Sequence, residues 1–224
     1  MNMILANWLE TFRNPGESDE SLRRRIEVGI RRSKPKVTWE KFMDWLDEDT
    51  HAEWVNGEVF MNSPVGLQHQ RISLFLAHVL GAFVEFNQLG EIVPAPFQMR
   101  LANSSREPDL LFVSQAHSGR LKPTYLDGAA DLVVEIISPE SIGRDRGEKF
   151  NEYEAANIPE YWLIDPILEQ AECYRLGESG YYQIAFSGAA GKYSSPVLPG
   201  LTIEVAWLWK PPAVMEVLRM VGVV

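Results

Sequence analysis

The chain has 224 residues, 46% of them hydrophobic and 11% aromatic, enough for one well-buried core with an appended arm. Lys and Arg total 21 against 31 Asp and Glu, a net charge of −10, which argues against a protein that coats a polyanion through an evenly basic surface. A single cysteine, Cys173, excludes an intrachain disulfide and favours a cytoplasmic home.

The opening MNMILANWLETFRNPGE lacks a cationic stretch followed by a long apolar core, so no signal peptide is expected. No apolar run reaches the roughly 18 residues of a membrane span. Residues 1–36 read as an N-terminal basic arm or helix, RNPGESDESLRRRIEVGIRRSKPK, either solvated or contacting phosphate through its clustered arginines. Residues 37–224 read as one domain. In VTWEKFMDWLDED, Trp39, Phe42 and Trp45 recur at helical spacing behind Thr38, a natural N-cap. HAEWVNGEVFMN is a hairpin about Asn56-Gly57, which sets Val55 opposite Glu58 and Glu53 opposite Phe60 on one face. Trp54, Val59 and Met61 take the other face and read as core.

LQHQRISLFLAHVLGAFVEFNQLG is a long helix, apolar nearly all round, with Gly90 as its stop. Short strands follow in EIVPAPFQMRLA, EPDLLFVS and DLVVEIIS. SIGRDRGEKFNEYEAAN is an amphipathic helix, EYWLIDP a strand ending in an Asp165-Pro166 turn, and CYRLGESGYYQIAF a hairpin-like pair. LTIEVAWLW supplies a last strand and PPAVMEVLRMVGVV a short helix. Strand, helix, strand over residues 131–165 predicts a parallel crossover, while the hairpins add antiparallel neighbours. The fold class is therefore α/β, a mixed sheet flanked by helices.

A carboxylate inside an apolar strand demands explanation, because burying it unpaired costs several kcal/mol. In DLVVEII the strand period puts Asp131, Val133, Glu135 and Ile137 on one face; in EPDLLFVS it puts Glu107, Asp109, Leu111 and Val113 together. If those strands are neighbours, Asp109 and Glu135 converge, and a hard divalent ion would relieve their repulsion. The alternative is a carboxylate near a strand end paired with Lys149 or an arginine. Asp145, Lys149 and Tyr153 recur every four residues along one helical stripe. Lys149 either forms a solvated pair with Asp145 or points back at the carboxylates.

The ordered set EWVNGEVFMNSP, HQRIS, PFQMRL, EPDLLFVS, DLVVEIISPES, DRGEKFNEYEAANIPEYWLIDP and CYRL resembles the Uma-type putative restriction endonuclease family, over roughly residues 37–176. That family belongs to the PD-(D/E)xK nuclease superfamily, so the resemblance implies a restriction-endonuclease-like fold. It also implies a Mg²⁺- or Mn²⁺-dependent endonuclease-like phosphodiesterase acting on DNA. By the same resemblance Asp109 and Glu135 are metal ligands, joined by the Ile136 carbonyl, and Lys149 is the catalytic lysine. Ile137 stands where the superfamily usually carries that lysine on the strand, and Lys149 on the next helix matches its displaced position. Glu58 matches an acidic residue after the Asn-Gly turn, completing the metal shell or holding a water, or else is simply an exposed hairpin carboxylate. His69 contacts phosphate, shuttles a proton, or is satisfied locally; Tyr153 positions Lys149 or packs. Glu107 is a second ligand or a solvated strand edge. His51, His78 and His117 have no partner pattern and read as structural or surface residues. The resemblance further suggests a homodimer, since cutting both strands of a duplex often uses two copies of one site. A non-catalytic nucleic-acid- or partner-binding protein on the same scaffold is the competing reading.

Overall fold

The computed structural model describes Ser18, Glu20 and residues 36–224 apart from Glu48 and Glu140; the predicted arm therefore lies almost wholly outside the described residues. Helix α1 spans Trp39–Trp45, with the Thr38 side chain accepting from the Lys41 amide as its N-cap. Strands β1 (Ala52–Val55) and β2 (Glu58–Met61) form the hairpin in the expected register, Glu53 opposite Phe60 and Val55 opposite Glu58. Which face is buried differs from expectation. Glu53 and Val55 are buried, Trp54 and Val59 are half-buried, and Met61 is exposed. The hairpin turns its carboxylate-bearing face inward because that carboxylate meets buried cations there, as described below.

Helix α2 is Leu67–Phe86 and caps at Asn87, whose side-chain amide donates to the Phe83 carbonyl at 2.8 Å. Gly90 is not its stop. It opens β3 (Gly90–Pro94) with φ +147°, so close to the neighbouring strand that a Cβ would lie 2.1 Å from the Val113 carbonyl oxygen. The run EIVPAPFQMRLA is not one strand: β3 ends at Pro94 and β4 (Gln98–Arg100) starts anew after Pro96. Three short strands escaped the sequence reading, Lys192–Ser194 near the C-terminal end and, earlier in the chain, β5 (Ser104–Arg106) and β7 (Tyr125–Asp127), all too short for a periodic signal. Between β5 and β7 lies β6 (Leu110–Ser114).

Strand β8 (Leu132–Ile136) leads through a π-helical turn, Arg144–Lys149, directly into helix α3, Phe150–Ala155, and on to β9 (Glu160–Asp165). As predicted, β8 and β9 pair in parallel. Strands β10 (Gln170–Leu176) and β11 (Tyr182–Gly188) form the antiparallel pair. The last predicted strand keeps only three residues, β13 (Thr202–Glu204) against β12 (Lys192–Ser194), before a 3₁₀ turn takes over at Val205. Helix α4 (Val214–Met220) closes the described chain.

A six-stranded mixed sheet, β11-β10-β9-β8-β6-β3, divides the core, and a five-stranded sheet, β2-β1-β5-β4-β7, stands beside it. On one face Leu110, Phe112, Leu132, Val134 and Ile136 pack with α2 and α4 residues such as Leu76, Leu80, Phe83 and Val217. On the other, Leu111, Val113, Val133 and Ile137 pack with Met99, Leu126, Tyr153 and Tyr161. The alternation read from β6 and β8 matches this division residue for residue. Helix α2 is less enclosed than its composition suggests, leaving Leu67, Leu74 and Phe86 exposed. Among the described residues no helix is long and apolar enough to cross a membrane.

The contact at Gly90 gives a first prediction. Gly90→Ala forces a side chain into the backbone of β6 at a φ that L-residues avoid, and should destabilise the fold by about 2 kcal/mol or more in urea titration.

Candidate active site

The two sheets and the π-helical turn converge on a cleft of about 550 Å³. Its carboxylates are Glu53 from β1, Glu107 and Asp109 from the link between β5 and β6, Glu135 from β8, and Asp145 from the π turn. Lys149, Arg144, His51 and His69 line it too.

Antiparallel pairing of β6 with β8, Leu110 opposite Val134, brings Asp109 beside Glu135. Asp109 accepts the Ile136 amide on Oδ2 at 2.7 Å, while His69 Nε2 lies 3.2 Å from Oδ1. This ties the N-terminal turn of α2 to the end of β8.

Lys149 occupies the centre. Its ammonium lies 2.9 Å from Glu135 Oε1, 3.1 Å from Glu53 Oε1 and 3.3 Å from Asp145 Oδ1, with its side chain only 7% exposed. Tyr153, one turn on, donates to the same Glu135 oxygen at 2.6 Å. Of the two sequence-level options for Lys149, the geometry is that of a buried lysine directed at the carboxylates.

Glu53 escaped the sequence reading. It accepts Lys149 on one oxygen and Arg106 Nη1 on the other, at 3.0 Å, and its first oxygen also receives the Glu107 amide at 3.3 Å. Arg106, fully buried, is a bridge: its other nitrogens hold Glu152 in a two-point contact, with Nε–Oε2 at 2.8 Å. Alternation carried the signal, for Glu53 shares a face with Val55; Trp54 beside it drew the core assignment to the wrong side. Glu58 is half-buried, two cross-strand pairs nearer the turn than Glu53, and is not among the residues that line the cleft.

Electrostatics sort these acids. Burial works against ionisation of Glu53, but Lys149 and Arg106 overcome it and hold its carboxyl at about 2. Glu135 goes the other way: burial, opposed by Lys149 and reinforced by the charges of Asp145, Asp109 and Glu53, pushes it up to about 8. Lys149 itself is held protonated, the surrounding carboxylates outweighing its desolvation. Burial raises Glu107, against the pull of His51.

The donor set suits a hard cation in part. Both donors to Glu135 fall on Oε1, and among the described residues Oε2 has no protein donor. Asp145 Oδ1 is buried without a hydrogen bond despite its nearness to Lys149. Among the described residues, no three His, Cys, Asp or Glu side chains stand around one point as a ready cage. Mg²⁺ does not require one, since it typically takes one or two carboxylates and completes its shell with waters and substrate oxygens.

Comparison with solved structures places the chain among α/β proteins with the restriction-endonuclease type of fold. The crystal structure of a putative nuclease of the DUF820 family from Anabaena variabilis matches it with a TM-score of 0.68 at 16% identity, covering 78% of this chain and 98% of that one. The family model Uma2, "Putative restriction endonuclease", matches residues 39–206, and the chain belongs to that family. No curated protein matches it.

The depressed Glu53 carboxyl makes stability pH-dependent. Between about 2 and the ordinary 4.5 the unfolded state binds the extra proton, so the ionised group stabilises the fold above that window and loses the effect as pH falls through it. Glu53→Gln should cost about 3 kcal/mol at pH 7, because Lys149 and Arg106 lose a buried counter-charge. Urea titrations at pH 7 and pH 3 should show that deficit shrinking at the lower pH.

Proposed function

We propose that the protein is a metal-dependent endonuclease-like phosphodiesterase that hydrolyses DNA. Support comes first from Asp109 and Glu135 side by side at a cleft, with Glu135 Oε2 left without a protein donor and a buried lysine on its other oxygen. Asp109, Glu135 and the Ile136 carbonyl would hold Mg²⁺ or Mn²⁺, and a bound ion would supply Lewis-acid polarisation of the phosphate and activation of water. Glu58 is not among the residues that line the cleft with them.

The chain's own groups have distinct tasks. Lys149, kept cationic by three carboxylates, puts fixed positive charge at the base of the cleft, where it orients the attacking water and stabilises charge developing on phosphorus. Tyr153 and Lys149 together fix the Glu135 rotamer. His69 and the Ile136 amide fix Asp109. The net charge of −10 suits a transient encounter with DNA better than stable retention. A homodimer would bring two clefts to the two strands of a duplex.

One observation favours the non-catalytic alternative: Lys149 already neutralises much of the charge that would draw an ion, and no three-ligand cage stands ready among the described residues. Cleavage of supercoiled plasmid separates the two. Nicking with Mg²⁺ or Mn²⁺ is expected, lowered about 10²-fold or more in Glu135→Ala and Lys149→Ala proteins whose circular dichroism shows them folded. Calorimetry should show Mn²⁺ binding that Asp109→Asn weakens. No cleavage, and no binding that depends on Asp109 and Glu135, would overturn the proposal.

A further inference from the structure

Two histidines line the cleft, and they present different atoms to it. His69 Nε2 lies 3.2 Å from Asp109 Oδ1, and its Nδ1 is buried without a hydrogen-bond partner. His51 is the reverse. Its Nδ1 lies 3.2 Å from Glu107 Oε1, its side chain is 50% exposed, and among the described residues its Nε2 has no protein partner.

The support behind His51 is built and buried. Glu107 accepts from Gln98 Nε2 on its second oxygen at 3.1 Å. That same amide donates to the Ala52 carbonyl at 2.9 Å, and Gln98 Oε1 accepts the Ser105 hydroxyl at 2.8 Å. Gln98 is 2% exposed and Ser105 fully buried, so the Glu107 carboxylate has a fixed orientation. A carboxylate on one imidazole nitrogen fixes the ring's orientation and aims the other ring nitrogen outward. The Glu107 amide also donates to Glu53, joining this relay to the Lys149 cluster.

Depth distinguishes the two ends of the cleft. Glu135 and Lys149 are almost closed off at its base, whereas His51 is open at its mouth. In-line displacement at phosphorus needs nucleophile and leaving group on opposite sides, and the departing strand end must exit towards solvent. We propose that His51, backed by Glu107, is the general acid for the leaving oxygen, an assignment that rests on the phosphodiesterase reading above. Water oxygen bonds to phosphorus as the P–O ester bond breaks. The Nε2 proton of His51 passes to the departing oxygen, which leaves as an alcohol. The proton lost by the attacking water goes to solvent, and solvent reprotonates His51. Glu107 is a positioning residue that holds the His51 ring in orientation for the transfer.

The test uses a leaving group that needs no proton. Oligonucleotides carrying one ordinary phosphodiester are compared with the same sequences bearing a single bridging sulfur, on the 3′ or the 5′ side, since thiolate departs unprotonated. His51→Gln should slow cleavage of the oxygen ester about 10²-fold and that of one sulfur ester less than about 10-fold. Glu107→Gln should show a smaller loss with the same selectivity, which a merely structural role would not produce. Equal loss on oxygen and sulfur esters, or no loss on either, would overturn the assignment while leaving the phosphodiesterase reading intact. Failure of the unaltered protein to cleave any of them would overturn both.

Discussion

A buried ammonium between three carboxylates governs how this fold is put together. Lys149 comes from the π-helical turn, Glu53 from the smaller sheet and Glu135 from the larger one, so no one element can satisfy it. Removing such a charge from water costs several kcal/mol, recovered only when every partner is in place. The smaller sheet must therefore dock in one register, with the Glu53 face inward. Arg106 enforces the same docking from the other side, linking Glu53 of β1 to Glu152 of α3. The network contributes specificity of assembly rather than a surplus of stability, and a cleft lined by oriented acids is its result.

The opposed behaviour of Glu53 and Glu135 follows from that arrangement. Both are buried acids touching the same lysine, yet Arg106 reaches only Glu53, while Glu135 faces Asp109 and Asp145. One carboxylate is thereby committed to the scaffold and charged at neutral pH. The other holds its charge reluctantly and has most to gain from an additional cation. Titratable groups whose surroundings drive them apart are a common mark of a functional cleft.

Much of this was legible in the sequence, where local periodicity carried the information. The faces of β6 and β8, the parallel crossover, and the stripe of Asp145, Lys149 and Tyr153 all follow from spacing alone. Glu53 did not emerge because a four-residue strand flanked by turns offers two faces of similar polarity, and hydrophobicity favoured Trp54. Only the partner, Arg106 on an unrecognised three-residue strand, decides which face is buried. His51 was similarly opaque: its partner Glu107, and Gln98 behind that carboxylate, are distant in the chain, and pairing across such separations leaves no periodic trace.

The position of the lysine has a packing reason. Ile137 faces the same side as Glu135 but lies within the apolar cluster of Val133, Tyr153 and Tyr161, 1% exposed. A lysine there would place its stem in that cluster and displace the aromatic packing beneath α3. Supplying the ammonium from the helix instead lets Tyr153 and Tyr161 fill the space below, edge to face at 5.3 Å. The wider π-helical turn carries Asp145 and Lys149 together at its two ends, and Tyr161 pins its start by donating to the Asp145 carbonyl at 3.1 Å. Such turns are rare and gather at functional sites, where one extra residue per turn re-aims a side chain. Here the re-aimed side chain is the lysine on which the two sheets close.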